Sequence, residues 1–230
     1  MTALTTPVEE IFSSAQGEGI YLGARQIFVR FCGCNLKCGY CDEKAARSKG
    51  RQMRARAVSD EISRLARSRP HHSVSLTGGE PLLHADFIAE LAPLIRREGL
   101  LVYLETNATL PEEYSKIASL TDIVSADIKL PSSCGADCWP AHEKFFALAA
   151  GKVFAKAVVT GGETAAELER CAQTLLRLPA EIPSIIQPAT PRGGAAYYTK
   201  NAVDTLLRLT QNRIQRPLVI AQQHCRWGIR

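Results

Sequence analysis

The 230-residue chain lacks any apolar run near the roughly 20 residues needed to cross a bilayer. Its opening stretch, MTALTTPVEEIFSSAQ, lacks the basic and then apolar pattern of a secretory leader, so a soluble, cytoplasmic protein is expected. Internal repeats, low-complexity tracts and long linkers are missing too, which favours a single domain over residues 1–230. Nor does charge of one sign dominate, because 28 Lys and Arg against 23 Asp and Glu leave a formal +5. Much of that excess sits in ARSKGRQMRARA (46–57) and the nearby RLARSR. The segment reads as a solvated loop running into a helix face, with an anionic ligand or nucleic acid as alternatives.

What is present is a regular alternation. With 46% hydrophobic residues the chain can fill a core, and short β-branched or apolar runs recur at 25–31, 73–77, 100–106, 122–130, 152–160, 184–188 and 217–223. Between most of them lie apolar residues at helical spacing: Val58, Ile62 and Leu65; Phe87, Leu91, Leu94 and Ile95; Phe145, Phe146 and Leu148; Leu168, Cys171, Leu175 and Leu176; Val203, Leu206, Leu207 and Leu209. Strand and helix in alternation predict an α/β fold of βαβ units with a mostly parallel sheet, either open or curled into a full or partial barrel. Ligands of such folds gather at the carboxyl ends of the strands. The unusual residues fall there: the cysteines after the first strand, TGGEP after the second, ETNA after the third, SADIK at the fourth, QPAT after the sixth and QQH after the last. The least certain loops are GADCWP (135–140) and the polar TPRGGAAYYTKN (190–201), the latter read as a mobile flap.

Four of the eight cysteines fall in FCGCNLKCGYCDEK, residues 31–44. A reducing compartment disfavours structural disulfides and favours metal or redox use. Setting Cys32 aside, the spacing is Cys34-x3-Cys38-x2-Cys41. A structural zinc normally takes four ligands, and no second CxxC or nearby CxxxH supplies the fourth. An iron–sulfur cluster held by only three cysteines leaves one iron open to an exogenous ligand. A zinc half-site remains the competing reading.

CxxxCxxC with Tyr40 before its last cysteine resembles the cluster motif of the radical S-adenosylmethionine superfamily, and TGGEP (77–81) resembles that superfamily's glycine-rich turn. The longer block EIFSSAQGEGIYLGARQIFVRFCGCNLKCGYCD (10–42), followed by TGGEPLL, ETNATL, VSADIKLPSS, AKAVVT, IIQPATP and VIAQQH, is similar to the 7-carboxy-7-deazaguanine synthase family over nearly the whole chain. The resemblance implies a partial (β/α) barrel of the radical S-adenosylmethionine type. It also implies a carbon–nitrogen lyase that contracts 6-carboxy-5,6,7,8-tetrahydropterin to 7-carboxy-7-deazaguanine with loss of ammonia, within queuosine biosynthesis. The chemistry would be done by the 5′-deoxyadenosyl radical rather than by a protein side chain.

By residue-by-residue match, Cys34, Cys38 and Cys41 would hold a 4Fe–4S cluster. Tyr40, Cys41, Asp42, Gly79, Ser125, Ala126, Asp127 and, more weakly, Gln187, Pro188, Ala189 and Thr190 would contact S-adenosylmethionine. Ala15, Gln16, Gly17, Glu18, Arg30 and Thr77 would bind the substrate, with Arg30 suited to a bidentate grip on a carboxylate. Glu105 and Asn107 read equally well as strand-end caps, and His224 as a hydrogen-bonded residue rather than a ligand.

Two features depart from the family. The residue after Cys41-Asp42 is Glu43 where the family has a threonine that contributes to Mg²⁺; a carboxylate is a hard ligand for that ion, or marks a paralogue with an altered substrate. Cys134 and Cys138 lie outside the family pattern and, with Cys171 and Cys225, read as buried small hydrophobes or unreactive surface thiols, as Cys32 reads as a packing residue. The resemblance further implies a homodimer and an external electron donor such as flavodoxin or ferredoxin, with no nucleic acid or membrane partner. A radical activase acting on a partner protein would share the cluster motif and the glycine turn without needing AQGEG or Arg30.

Overall fold

The computed structural model describes residues 4–41, 50–149, 151–190, 198–211 and 218–229. Its strands are β1 (Thr5–Ala15), β2 (Arg25–Phe31), β3 (Arg51–Arg54), β4 (Ser73–Gly78), β5 (Leu101–Thr106), β6 (Ile123–Ile128), β7 (Val153–Val159), β8 (Ser184–Pro188) and β9 (Leu218–Val219). The helices are α1 (Ala55–Ala66), α2 (Ala85–Arg97), α3 (Pro111–Ile117), α4 (Pro131–Cys134), α5 (Trp139–Leu148), α6 (Ala165–Arg177), α7 (Lys200–Thr210) and α8 (His224–Trp227).

All nine strands form one sheet in the order β3-β1-β2-β4-β5-β6-β7-β8-β9. From β2 through β9, leaving out β3, every neighbouring pair is parallel, whereas β1 pairs antiparallel with β2 and β3. Each parallel strand is added beside the one before it, so the crossovers run in one direction and the sheet curls without closing. This is the partial (β/α) barrel expected. Neighbouring helices pack in the same sequence, α1 on α2, α2 on α3, α3 on α5 and α6 on α7.

The two-residue period of the strands sorts side chains between two faces. Val29, Leu76, Val102, Leu104, Val124, Ala126, Ala155, Ala157 and Ile186 join the core shared with helix residues such as Ile62, Ile88, Leu91, Phe145 and Leu206. The helix patterns explain the match: in α2, Phe87, Ile88, Leu91, Ala92 and Ile95 are buried on one face. A capping box between Thr164 and Glu167 starts α6. Leu148, read as a core position, is exposed at the last turn of α5. The opposite, concave face is filled at its base by Tyr103, Ile123, Phe154 and Ile185, with Tyr21 packed against them.

Two strands were not anticipated. β1 is half-buried along most of its length and rich in Glu and Ser, so it shows no strong apolar alternation. β3 falls in the basic segment read as a loop, where Arg51–Arg54 instead form an edge strand with only Met53 buried. Charged side chains on an edge discourage further strand pairing, which is why such a strand does not look like one in sequence. The GADCWP stretch is also ordered, with Gly135 in the left-handed region between α4 and α5. Residues 191–197 of the expected flap lie outside the described residues.

The far end of the chain returns to the near end. The Gln223 N–H donates to the Gly17 carbonyl at 2.9 Å, so the segment after β9 crosses the mouth of the sheet to the loop after β1.

Candidate active site

Above the aromatic base, the next layer of the concave face is polar: Arg30 on β2, Thr77 on β4, Glu105 on β5, Asp127 on β6, Lys156 on β7 and Gln187 on β8 all line one cavity of about 340 Å³. Arg30 and Thr77 are direct partners in register, which follows from the parallel pairing of β2 with β4.

One wall is made by the loop after β2 and the turn after β4. Gly33 has φ 92° and lets the chain leave β2 sharply. Cys34, Cys38 and Cys41 then line the cavity together with Tyr40. The second turn packs backbone against backbone: Gly79 N–H donates to the Phe31 carbonyl at 3.1 Å and Glu80 N–H to the Gly33 carbonyl at 2.8 Å. A Cβ on Gly79 would stand 1.9 Å from the Gly33 carbonyl oxygen, so only glycine fits there. Glu80 is fully buried and staples this turn to the end of β5, accepting from Leu82 N–H at 3.0 Å, Thr106 Oγ1 at 2.8 Å and Asn107 N–H at 2.8 Å. Burial pushes its carboxyl up to about 7, against these donors. Burial likewise raises the Cys34 and Cys38 thiols.

The opposite wall is built from side chains. The Glu105 carboxylate accepts from Gln16 Nε2 at 2.7 Å, Ser75 Oγ at 3.1 Å and Thr77 Oγ1 at 2.8 Å. Gln16 also donates to Gln26 Oε1 at 2.9 Å, and its own oxygen accepts from Glu18 N–H at 3.0 Å. Beside them runs a chain of buried charges. Lys156 Nζ pairs with Glu18 Oε2 and lies 3.2 Å from Asp127 Oδ1; Lys129 Nζ lies 2.7 Å from Asp127 Oδ2 and donates to Tyr40 Oη at 3.0 Å. Gln222 Nε2 donates to Glu18 Oε1 at 2.6 Å. Burial opposes the charge of Lys156, but Asp127, Glu18 and Glu105 outweigh it and hold the ammonium above the usual lysine range. The same balance, led by Asp127 and Tyr40, keeps Lys129 charged. Arg30 pairs with Glu10 and lies over the Phe12 ring, 5.2 Å from its centroid.

The cavity thus gathers Ala15, Gln16, Gly17, Glu18, Arg30, Cys34, Cys38, Tyr40, Cys41, Thr77, Gly79, Asp127 and Gln187 from the expected set. Ser125, Ala126, Pro188, Ala189 and Thr190 do not line it. Ala126 sits on the helix side in the core, and Ala189 N–H is spent on the Val159 carbonyl at 2.8 Å. Asp42 and Glu43 lie outside the described residues. Sequence reasoning passed over Lys129, Lys156 and Gln222 as lining residues, and set Glu105 and His224 aside. The signal for Lys156 was present: it is the one charged residue in VFAKAVV, a strand buried at every position.

Comparison with known proteins follows the same lines. Residues 28–133 match the model of the radical SAM superfamily. The 7-carboxy-7-deazaguanine synthase of Geobacter sulfurreducens is 38% identical over 81% of this chain and 82% of its own length. The chain belongs to the 7-carboxy-7-deazaguanine synthase family. The synthase of Methanopyrus kandleri is 40% identical over 80% of this chain and 81% of its own. QueE from Escherichia coli has the same fold at 19% identity, with a TM-score of 0.63 over 95% of this chain and 94% of that one. A domain of a pyruvate-formate lyase-activating enzyme from Bacteroides vulgatus is matched over only 65% of this chain, with a TM-score of 0.52.

Members of the 7-carboxy-7-deazaguanine synthase family use a 4Fe–4S cluster and S-adenosylmethionine, and the residues present fit both. Three thiols on one loop supply soft donors and leave a fourth position to an outside ligand. The cradle at Gly79, where no Cβ fits, admits a small charged ligand to bare backbone. Gln187 Oε1 is buried at the cavity without a hydrogen-bond partner and is available as an acceptor.

Proposed function

We propose that this protein converts 6-carboxy-5,6,7,8-tetrahydropterin to 7-carboxy-7-deazaguanine with loss of ammonia, using one radical S-adenosylmethionine core that spans residues 1–230. The observation that carries the reading is a single cavity with the three cysteines and Gly79 on one wall and Gln16, Thr77, Glu105 and the Glu18–Lys156–Asp127 chain on the other.

When bound, the cluster and S-adenosylmethionine would supply the radical chemistry needed to activate a substrate C–H bond. This chain's residues do the rest. Cys34, Cys38 and Cys41 would hold the cluster, and Tyr40, Gly79, Asp127 and Gln187 would face the cofactor, whereas Ser125, Ala126, Pro188, Ala189 and Thr190 stand outside the cavity. The Glu105 and Glu18 carboxylates and the Gln16 carbonyl oxygen offer an edge of acceptors for the N–H groups of a pterin ring, while the Gln16 NH2 is spent on Gln26 and Glu105. Arg30, already paired with Glu10, adds a guanidinium for the substrate carboxylate. The charged Lys156 pairs with both Glu18 and Asp127 and holds them in place, so the site is organised before substrate arrives.

Mg²⁺ held with Glu43, an outside one-electron donor such as flavodoxin or ferredoxin, a homodimer and a cytoplasmic setting complete the reading. No described helix is long and apolar enough to cross a membrane. The deciding assay is anaerobic incubation of cluster-loaded protein with reductant, S-adenosylmethionine and the carboxypterin, with and without Mg²⁺. The expected products are 7-carboxy-7-deazaguanine and ammonia. If 5′-deoxyadenosine accumulates and the deazaguanine does not, the substrate is a different one, and a radical activase or a paralogue becomes the better reading.

A further inference from the structure

Five of the eight cysteines meet at one place. Leu36, Cys38, Cys134 and Cys138 form a small buried cluster apart from the main core, with Cys34, Tyr40 and Cys41 packed against it. The loop bearing the cluster ligands is tied to this support by Gly39 N–H, which donates to the Ser133 carbonyl at 2.9 Å. Cys134 ends α4, Gly135 turns the chain at φ 73°, and Cys138 caps α5, which brings the two Sγ atoms to 3.9 Å. Neither thiol lines the cavity that Cys34, Cys38 and Cys41 share. They stand behind the loop and are not among its ligands.

Cys171 shows what a packing cysteine looks like here: it is alone on α6, wholly buried in the main core. The Cys134–Cys138 arrangement differs on each count. Two thiols are in contact, the turn between them is closed by the Cys134 Sγ contact to the Ala136 carbonyl at 3.3 Å, and Gly135 and Asp137 above them are exposed. In reducing compartments, dithiols that close are transient and sense redox state.

We propose that Cys134 and Cys138 are a second redox site, a dithiol that closes to a disulfide by exchange with a glutathione-type or protein disulfide, and that closing it loosens the cluster loop packed on it. One thiolate attacks the oxidant's disulfide and releases one of its sulfurs as a thiol. The second attacks the mixed disulfide and releases the other, so two electrons and two protons leave the pair and reappear in two oxidant thiols. The sulfurs move from 3.9 Å to a bond of about 2.05 Å. That movement occurs within the contact that supports Leu36 and Cys38.

The cluster is taken from the function proposed above, but the decisive readout does not depend on turnover, so failure of that function and failure of this site are distinguishable. Trypsin releases Leu130–Lys144, which carries Cys134 and Cys138 and no other cysteine. Cluster-loaded protein is equilibrated anaerobically across glutathione to glutathione-disulfide ratios, alkylated and digested. The expected result is that this peptide loses two hydrogens and resists alkylation at the oxidised end, reversed by dithiothreitol. In parallel, iron release to a chelator should rise several-fold on oxidation in the native protein and stay constant in Cys134→Ala/Cys138→Ala. If the double variant loads no cluster, Cys138→Ala alone serves, since one thiol cannot close. A peptide that stays fully alkylated at the most oxidising ratio overturns the site; closure with unchanged iron release overturns its coupling to the loop.

Discussion

The two walls of the cavity are held by different means. On the cysteine side, shape comes from backbone: Gly33 and Gly79 bring two turns into contact, and buried Glu80 fixes them through main-chain donors. On the other side, shape comes from side chains that pair across four strands, β4 to β7, and the segments after β1 and β9. A backbone-built wall suits a group whose demands are constant, because main-chain N–H and C=O do not vary with sequence. A wall of paired charges suits a substrate that must be distinguished from others, since unpaired buried polar groups penalise the wrong one.

The comparison can be broken first at Gly79. Gly79→Ala places a methyl group 1.9 Å from the Gly33 carbonyl oxygen, so the cysteine loop must move. We expect cluster content and 5′-deoxyadenosine formation to fall together, by about 100-fold or more, a size typical of a misplaced site. Retention of a full cluster, read by iron and sulfide analysis, would show that the contact is not structural.

Lys156→Met strikes the other wall. It removes the ammonium that Glu18 and Asp127 share and leaves Asp127 to Lys129 alone, so the cost should stay below the about 3–5 kcal/mol typical of breaking a fully buried pair. Product formation should collapse while the cluster still loads, a split visible by comparing iron content with turnover. A smaller effect is expected from Arg30→Lys, which keeps charge but loses the planar fork: KM for the carboxypterin should rise about tenfold with cluster content unchanged. Unaltered kinetics would remove Arg30 from substrate binding.

The smallest effect concerns pH, because two buried groups oppose one another. Glu80 is pushed up from 4.5 to about 7, chiefly by burial, so stability falls as pH rises between those values. His142 is pushed down from 6.5 to about 4, again chiefly by burial, so stability rises with pH between about 4 and 6.5. The windows overlap and the native protein should show little slope there. Glu80→Gln should uncover the His142 rise, at most on the order of 1.4 kcal/mol per pH unit. Urea midpoints that stay flat in that variant would contradict the assignment.

The same contrast explains what was legible beforehand. The cysteine loop and TGGEP are contiguous, and their glycines are required by local geometry, so a short window shows them. Parallel strands buried on both faces also stand out, and SIIQP was bounded correctly at 184–188. β1 did not stand out, since its half-buried Glu and Ser residues blur the two-residue period. The charge chain was hidden for another reason: Glu18, Asp127, Lys129, Lys156 and Gln222 are far apart in the chain and meet only after strand order and register are set. Glu105 read as a cap because nothing local reveals that Gln16, Ser75 and Thr77 all donate to it.

The return of the C-terminal segment to Gly17 and Glu18 has a bearing on how the molecule is made. Because the parallel strands lie in the sheet in the order they are synthesised, a nascent chain reaching α6 already contains the three cysteines, the Gly79 turn and Asp127. Gln222 and Gln223 emerge later. Assembly of the iron centre can therefore precede closure of the substrate mouth, with the ribosome leaving the door open while the metal is installed. Ribosome-bound chains arrested between α6 and β9 should accept a cluster yet produce no deazaguanine until the final segment is released.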